Sequence, residues 1–417
     1  MSTQRPNRRH FLRHVAATSA LAGSASGFVD SLWAHAPQLK RENKAAVLVW
    51  LGGGASTIDM WDLKPGSDVG GPFRPIATSG DVEICEHLPQ LAQQFQHLAI
   101  VRSMRTREAD HGRGRYYMHT GYVPNPSVTH PSYGAVVSHE LSDQTATLDI
   151  PPFVSIGGTS EGAGFLGAAY APLVVDAGGQ VRNLRVQHAD RLGDRMAMLA
   201  SLEKSFARQN RGLAATEHAK ILDKTVSLMT SKQLDAFRVA DEPEAARERY
   251  GDSNVGRGCL LARRLIEAGV PFVEVGFDGW DNHQNVFETL QNDRLPQLDR
   301  ALGALVEDLD QRGRLDDTVV VCMGEFGRTP RINANSGRDH WARGWSVVLG
   351  GGGINGGIAV GETNEIGEAV ADTWSSEDLM ASVCHALGIS LDTTYTSRSG
   401  RPMKIAGGGR IIEPLFA

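Results

Sequence analysis

The segment AAVLVWL, residues 45–51, is an unbroken apolar run that ends in three glycines, Gly52, Gly53 and Gly54. An apolar run of strand length without polar alternation is typical of a strand that is buried on both faces, as in a parallel sheet. Similar runs occur at 97–103, 152–158, 270–277, 317–324 and 345–351. A chain with several such strands is restricted to architectures that cover both faces of a sheet.

Amphipathic helical patterns separate several of these runs. The clearest spans 289–312, where four leucines repeat at the spacing of one helix face: Leu298, Leu302, Leu305 and Leu309. Strands that alternate with helices predict a doubly wound, mostly parallel α/β sandwich, whose ligands bind at the carboxyl ends of the strands. The stretch of about 180–250 lacks β-like runs, and it predicts a helical insertion within a single domain spanning 37–417.

The first 36 residues predict a signal for export by the twin-arginine translocase. Arg8 and Arg9 precede HFL, and a weakly apolar stretch then leads to a possible A-x-A cleavage site at residues 34–36. The alternative of a membrane anchor requires about 20 apolar residues, more than residues 15–29 supply. We therefore expect a periplasmic or extracellular protein with no stable membrane insertion after cleavage, although retention of an uncleaved signal stays open.

Charge and cysteine content exclude several classes of protein. The whole chain has a formal net charge of −6, and loss of a signal with four arginines and one aspartate makes the mature part more acidic. An acidic surface argues against nucleic acid or anionic membrane as the main partner. The four cysteines have no CxxC spacing, and Cys322 and Cys384 lie in apolar runs, so we expect neither a disulfide framework nor a cysteine metal site.

Carboxylates and histidines recur directly after the predicted strands. They lie in the segments GGGASTIDMWDLKP, DGWDNH, GEFGRTP and GRDHWARGW, and the candidate metal ligands are Asp59, Asp281, His283, Glu325, Asp339 and His340. Such oxygen and imidazole ligands suit a divalent metal, either Zn, Mn or Ca. The open alternative is that each group satisfies its own loop, as a turn or cap residue or as the partner of an arginine.

Arginines near these segments are candidates for binding an anion, because a guanidinium matches two phosphate or sulfate oxygens at once. In READHGRGRYY, Arg113 is assigned to catalysis together with His111, and Arg115 is assigned to substrate binding. Of the two later arginines, Arg328 is assigned to catalysis and Arg338 to substrate binding. These arginines could equally pair with acidic side chains of the surface. The chain has no G-x-S-x-G elbow, P-loop or Rossmann glycine motif.

At the level of motifs, the chain resembles a family of twin-arginine-exported bacterial proteins, domain-of-unknown-function family 1501. The matching segments lie in order along nearly the whole mature chain: RRHFL, LGGGASTIDMWDLKP, ADHGRGRYYMHTGYVP, GWDNH, GEFGRTP, GRDHWARGWSVVLGGGGINGG, EDLMASVCHALGI and GRP. The family is similar in layout to the alkaline phosphatase superfamily, which includes sulfatases. That resemblance implies an alkaline phosphatase-like fold and metal-dependent hydrolysis of phosphate or sulfate esters.

By position, the resemblance implies that Asp59 is the early metal carboxylate and that His111 occupies the place of the nucleophile. The pair of Asp281 and His283, followed by Glu325 and His340, would then match the later metal ligands. Two departures weaken a standard sulfatase assignment. Histidine replaces the usual Ser, Thr or modified Cys and cannot become formylglycine, and the C/S-x-P-x-R signature is absent.

Two functions therefore follow as hypotheses. The first is an exported, metal-dependent hydrolase of a small anionic ester, phosphate or sulfate, with His111 as nucleophile, base or extra ligand. The second is a non-catalytic exported protein that binds or helps to assemble a component of the cell envelope. A third, purely structural interpretation of the polar clusters makes no functional claim.

Overall fold

The computed structural model describes residues 44–158, 160–181, 191–207 and 224–416. These residues belong to one compact unit, Asn43–Ala417. The predicted signal, residues 1–36, lies outside the described residues, as do large parts of the predicted insertion at about 180–250. Among the described residues, no helix combines the length and apolar character needed to cross a bilayer.

A central eight-stranded sheet organises the unit, and the six predicted runs all form strands in it. In chain order the strands are β1 Ala45–Gly52, β2 Leu98–Met104, β3 Phe153–Ile156, β4 Leu173–Val175, β5 Phe272–Asp278, β6 Thr318–Met323, β7 Trp345–Gly350 and β8 Ala359–Val360. Their order across the sheet is β8-β2-β7-β6-β1-β5-β3-β4. Strand β7 is antiparallel to both neighbours, and the other adjacent pairs are parallel.

The helices are α1 Pro89–Ala92, α2 His111–Thr120, α3 Tyr133–Glu140, α4 Leu192–Ala207, α5 Glu244–Tyr250, α6 Asn254–Glu267, α7 Val286–Thr289, α8 Leu295–Gln311 and α9 Ser376–Ala386. Helices α4 and α5 fall within the predicted insertion. Short two-stranded pairs also occur: Pro75–Ala77 with Glu83–Cys85, Gly327–Arg328 with His340–Trp341, Glu362–Thr363 with Ala369–Ala371, and Thr394–Thr396 with Pro402–Lys404.

The core lies in two layers, one on each face of the sheet. Along β1, Val47, Val49 and Leu51 belong to one buried cluster, whereas Leu48 and Trp50 belong to the other. Helices α6 and α8 cover the first face, and α3 and α9 cover the second. The four leucines predicted to share a face of α8 are all fully buried. The mostly parallel, doubly wound α/β prediction is thus confirmed.

Candidate active site

A cleft of about 340 Å³ opens where β1, β5 and β6 end. These strands are parallel neighbours, with Gly52 of β1 in register with Asp278 of β5, so the loops that follow them emerge at one edge of the sheet. The described residues that line the cleft are Trp50, Gly52, Gly53, His111, Gly112, Arg115, Gly158, Glu274, Gly276, Asp278, Asp281 and Glu325.

His111 is the first residue of α2, where its ring is held by a carboxylate from a distant loop. Its Nδ1 donates to Glu325 Oε1 over 2.8 Å, and the same oxygen accepts a 2.9 Å bond from the Gly53 amide. Gly53 has φ +113°, and a Cβ there would lie 2.6 Å from the Asp281 amide nitrogen, so this close approach requires glycine. With Nδ1 bound to Glu325, the neutral tautomer of His111 presents the lone pair of Nε2 towards Asp281.

His283 and His340 are oriented in the same way. His283 Nδ1 donates to Asp339 Oδ1, and His340 Nδ1 donates to the Ala109 carbonyl, each over 2.7 Å. The hydrogen bond from His283 lowers the pKa of Asp339. The Nε2 atoms of the two histidines lie 3.2 Å apart, and they are 3.1 and 3.3 Å from the same oxygen of Asp281.

These side chains converge around Asp281. One ligand atom each from His111, Asp281 and His340 lies within 4.8 Å of the others, and His283 adjoins this group. His111 Nε2 is buried, makes no hydrogen bond with any described group, and lies 3.2 Å from Asp281 Oδ2. Imidazole nitrogens grouped around a carboxylate are a donor set that suits a divalent transition metal, and the Nδ1 partners fix the orientation of each ring.

Arg328 binds Asp281 from the buried side of this cluster, so its guanidinium is not free. Its side chain is fully buried and donates to the Gly54 carbonyl over 2.6 Å, to Asp281 Oδ1 over 2.5 Å, and to the Gly53 carbonyl. Burial alone would raise the pKa of Asp281. Arg328 lowers this pKa to about 2, through its hydrogen bond to the carboxylate and through its positive charge. The catalytic assignment of Arg328 stays a prediction; in this structure its donors bind Asp281 and the carbonyls of Gly53 and Gly54.

Asp59 and Arg338 lie outside the cluster and bind each other. Arg338 donates through Nε and Nη2 to the two carboxylate oxygens of Asp59, both over 2.8 Å, and both side chains are buried. Ser56 Oγ donates to Asp59 over 2.6 Å. Asp59 is therefore not placed as a metal ligand, nor Arg338 as a substrate-binding residue, because each satisfies the charge of the other.

The two arginines of α2 differ in their surroundings. Arg113 pairs with Glu108 through two hydrogen bonds of 2.6 and 2.8 Å and does not belong to the described lining of the cleft, so the structure does not bring it together with His111 in that lining. Arg115 lines the cleft while its Nε donates to Glu161 over 3.0 Å. Among the candidate anion-binding arginines, Arg115 alone has a place in the described cleft.

Glu325 and Asp339, assigned as metal ligands, orient the imidazoles in this structure. Each accepts the Nδ1 proton of a histidine, and neither belongs to the group whose ligand atoms converge. Glu325 Oε2 is buried and makes no hydrogen bond with the described residues. The two carboxylates therefore act through His111 and His283.

The sequence interpretation missed Glu274, which lies on the same face of β5 as Asp278. Glu274, Gly276 and Asp278 alternate with buried apolar residues and line the cleft. Glu274 accepts a 3.1 Å hydrogen bond from His119 Nε2 and another from Ser160. Burial alone would lower the pKa of His119. Glu274 raises this pKa, through its negative charge and through the hydrogen bond that it accepts from the ring. The period-two alternation in EVGFD was a readable signal, because alternate residues of a strand share a face.

Comparison with known proteins gives a family match over nearly the whole unit. The family described as "Protein of unknown function (DUF1501)" matches residues 43–416. Comparison with curated proteins gives no match.

Solved structures similar to this chain include members of the alkaline phosphatase and sulfatase superfamily. The PsFucS1 sulfatase from Pseudoalteromonas sp. is 11% identical with a TM-score of 0.40, over 88% of this chain and 72% of that one. The phosphonate monoester hydrolase from Silicibacter pomeroyi is 12% identical with a TM-score of 0.37, over 89% and 76%. The alkaline phosphatase from the Antarctic bacterium TAB5 is 12% identical with a TM-score of 0.37, over 83% and 98%.

Because the match spans the sheet, the cleft and every loop that contributes to the histidine cluster, this chain belongs to the DUF1501 family of proteins of unknown function.

Proposed function

We propose that this protein is an exported, metal-dependent hydrolase of an anionic ester, either a phosphate or a sulfate. The observation that carries the proposal is the convergence of three imidazole Nε2 atoms on Asp281 at the edge of the cleft. His111 and His340 each have Nδ1 bound to an oxygen acceptor, which leaves Nε2 for a cation, whereas His283 Nε2 also accepts a 3.3 Å hydrogen bond from Arg328 Nη1.

The residues that would hold the ion are His111, Asp281 and His340, with His283 as the adjoining donor. A set rich in imidazole suits Zn or Mn better than Ca, which prefers oxygen ligands throughout. When bound, a divalent cation supplies Lewis-acid polarisation of an ester oxygen. Arg328 holds Asp281 in place from the buried side.

Two features of the cleft support an anionic substrate. The amino end of α2 reaches the cleft through His111 and Gly112, and the first peptide N–H groups of a helix favour a negative charge. Arg115, one turn further along α2, adds a guanidinium to the cleft wall. A phosphate or sulfate group between these elements would lie beside the histidine cluster.

We propose that water, rather than a side chain, attacks the ester. The described lining of the cleft contains no serine, threonine or cysteine, and His111 Nε2 would be a ligand of the ion. The four cysteines of the chain are buried thiols elsewhere, and burial raises the pKa of Cys85 and Cys259 to about 12. Such thiols are poor nucleophiles.

The test is metal analysis of the mature protein purified from an export-competent host, followed by turnover of aryl phosphates, phosphodiesters and aryl sulfates with added Zn or Mn. We expect bound metal and turnover in the wild type, and loss of both in His340→Ala and Asp281→Ala. His385→Ala is the matched control, since His385 is exposed and does not line the cleft. A folded wild-type protein that binds no metal would refute the proposal.

A second candidate is a non-catalytic protein that binds an envelope component through the same cleft. The observation that favours it is the absence of a hydroxyl or thiol nucleophile from the described lining. Binding of anionic esters without turnover in any metal form would support this candidate.

Location and export partner form a separate part of the proposal. We propose that the twin arginines, Arg8 and Arg9, direct the folded chain through the twin-arginine translocase to the periplasm or beyond. A protein that binds its metal in the cytoplasm before export is consistent with this route.

A further inference from the structure

Two buried side chains at the cleft, His119 and Glu274, have no role in binding the ion or the anionic group. Glu274 lines the cleft from β5, and its Oε1 lies 3.1 Å from Nε2 of His119, which is in the last turn of α2. Ser160 Oγ donates to the other carboxylate oxygen of Glu274, and the Trp50 ring packs against the imidazole with 4.1 Å between the ring centroids. The pair is thus enclosed by protein, with its carboxylate at the wall of the cleft.

The hydrogen bonds of His119 require the pair to hold a proton. His119 Nδ1 lies 2.9 Å from the Arg115 carbonyl oxygen, which only accepts hydrogen bonds, so Nδ1 is protonated. A second proton must lie between Nε2 and Oε1 of Glu274, because a lone pair on Nε2 would otherwise face a lone pair of the carboxylate. The pair therefore holds one proton more than a neutral imidazole and an ionised carboxylate, either on the ring or on the carboxyl group.

The groups around the pair help to keep this proton in place. Burial alone would lower the pKa of His119, but Glu274, the Arg115 carbonyl and the charge of Glu161 raise it. Glu161 is itself paired with the Arg115 guanidinium, and the Trp50 ring in contact with the imidazole carries no charge. The pair thus keeps its proton to a higher pH than a free histidine does.

The order of positions along α2 puts the pair next to the place of the anionic group. His111, Arg115 and His119 follow one another at four-residue intervals, so they lie on one side of the helix with about 6 Å of axial rise between neighbours. In the proposed function His111 binds the ion, and Arg115 adds a guanidinium for the anion. The next position on the same side is that of His119 with Glu274, which is where the leaving oxygen of the ester would lie.

We propose that Glu274 is the general acid of the hydrolysis and gives the proton that it shares with His119 to the leaving oxygen of the ester. The inference rests on the proposed ester hydrolysis. As the water oxygen bonds to phosphorus or sulfur, the bond to the leaving oxygen breaks, and that oxygen takes the proton from Glu274. The proton that the water loses passes to solvent, and the pair regains a proton from solvent before the next turnover. His119 is a positioning residue that keeps the proton on the pair.

The experiment compares esters that differ in their need for an acid, on the Zn- or Mn-loaded mature protein. Phenoxide is a poor leaving group unless it is protonated, whereas 4-nitrophenoxide leaves without a proton, so kcat/KM is measured against pH for phenyl and 4-nitrophenyl phosphate. The two corresponding sulfates are measured in parallel. The variants are His119→Gln and Glu274→Gln, which keeps the shape of the side chain but has no carboxyl proton to transfer. Glu244→Gln is the matched control, since Glu244 is exposed and does not belong to the described lining of the cleft.

We expect Glu274→Gln to lower kcat/KM for the phenyl ester by about 100-fold or more, as is usual for loss of a general acid, and to lower that for the 4-nitrophenyl ester much less. His119→Gln should show the same pattern. The activity of the wild type on the phenyl ester should fall as pH rises through the titration of the pair, and this fall should be absent from Glu274→Gln. Glu244→Gln should match the wild type with both esters, and thermal unfolding establishes that each variant is folded.

A second measurement follows the proton without turnover. The ring ¹⁵N shifts of His119, assigned by their loss in His119→Gln, are recorded against pH by NMR on the Zn-loaded protein. We expect the wild-type ring to titrate above the free value of about 6.5. In Glu274→Gln the ring should titrate below that value, because burial then acts without the opposing carboxylate.

Three results would contradict these expectations in different ways. An equal loss with both esters in Glu274→Gln, or no loss with either, overturns the acid role while ester hydrolysis stands. A wild-type His119 that titrates below about 6.5 also overturns it, because the pair then holds no proton at neutral pH. Absence of turnover by the wild type in either metal form refutes hydrolysis, and the acid role with it.

Discussion

Replacing Arg338 by methionine tests whether its pair with Asp59 is structural or functional. Methionine keeps most of the buried length of the side chain but removes the two 2.8 Å hydrogen bonds to Asp59. It also removes the donors to the Val69 carbonyl, at 3.0 Å, and to the Thr329 carbonyl, at 3.1 Å. Asp59 is then left as a buried carboxylate whose remaining side-chain partner is Ser56.

Removing one member of a buried ion pair costs about 3–5 kcal/mol, because the charge that stays behind is no longer compensated. Unfolding entropy grows with chain length at about 2 cal/mol/K per residue, so for a unit of this size that cost corresponds to a fall in Tm of about 4–6 °C. The pair joins the turn after β1 to the loop before His340, positions 279 residues apart in the chain. We therefore expect the loss to appear in global unfolding.

The assay is thermal unfolding followed by circular dichroism or calorimetry, with metal content measured on the same samples. Arg343→Met is the matched control, because the Arg343 side chain is 67% exposed and its partner Glu368 lies 3.5 Å away. The control should change Tm by less than about 1 °C. An unchanged Tm in Arg338→Met, combined with weaker binding of the anionic ester, would refute the structural interpretation and restore the role in substrate binding that the sequence suggested.

Three further predictions concern the orientation of His283 by Asp339, the buried pair of His119 and Glu274, and export. Asp339→Asn should weaken Zn binding by about 10- to 100-fold without lowering Tm, because Asp339 orients His283 and is itself exposed; competition with a chromogenic chelator measures this, and unchanged affinity would contradict it. His119 has a raised pKa in the fold, so the stability from its pair with Glu274 is fully present below the unfolded pKa of about 6.5 and is lost as pH rises through the folded value. Tm of the wild type should therefore fall more steeply than that of His119→Gln as pH rises from about 6.5 through the folded pKa, whereas parallel curves would exclude the coupling. Replacing both signal arginines by lysine should retain the protein in the cytoplasm, as judged by fractionation, and normal export of that variant would argue for another route.

The sheet and the location of the site could be predicted from the sequence because both depend on local patterns. Apolar runs such as 45–51 and 317–324 need only their own composition to indicate buried strands, and each is a strand in the structure. Once strands are parallel, their carboxyl ends meet at one edge, so Asp281 and Glu325 were expected to lie near each other. His340 reaches the same edge by another path, through the short pairing of His340–Trp341 with Gly327–Arg328.

The partner of each charged side chain could not be predicted in the same way. Nothing in the local sequence distinguishes an Asp59 that binds metal from one that binds Arg338, since both need a carboxylate after a glycine-rich turn. The choice depends on contacts between loops that are far apart in the chain. Glu274 was missed for a related reason, because the segment around it was interpreted as a strand buried on both faces, although one face meets His119 and the cleft.

The arrangement of the arginines explains why anion binding in this cleft should depend on the bound cation. Arg328 is already bound to Asp281, and Arg338 to Asp59, so their charges are compensated inside the protein. Arg115 is the one arginine of the described lining and is itself paired with Glu161, whereas four carboxylates line the cleft: Glu274, Asp278, Asp281 and Glu325. A phosphate or sulfate would be repelled by such a surface unless a divalent ion at the histidine cluster offset it. In the proposed function a divalent metal would therefore have two roles, since His111 and His340 would bind it and its charge would allow an acidic cleft to accept an anion.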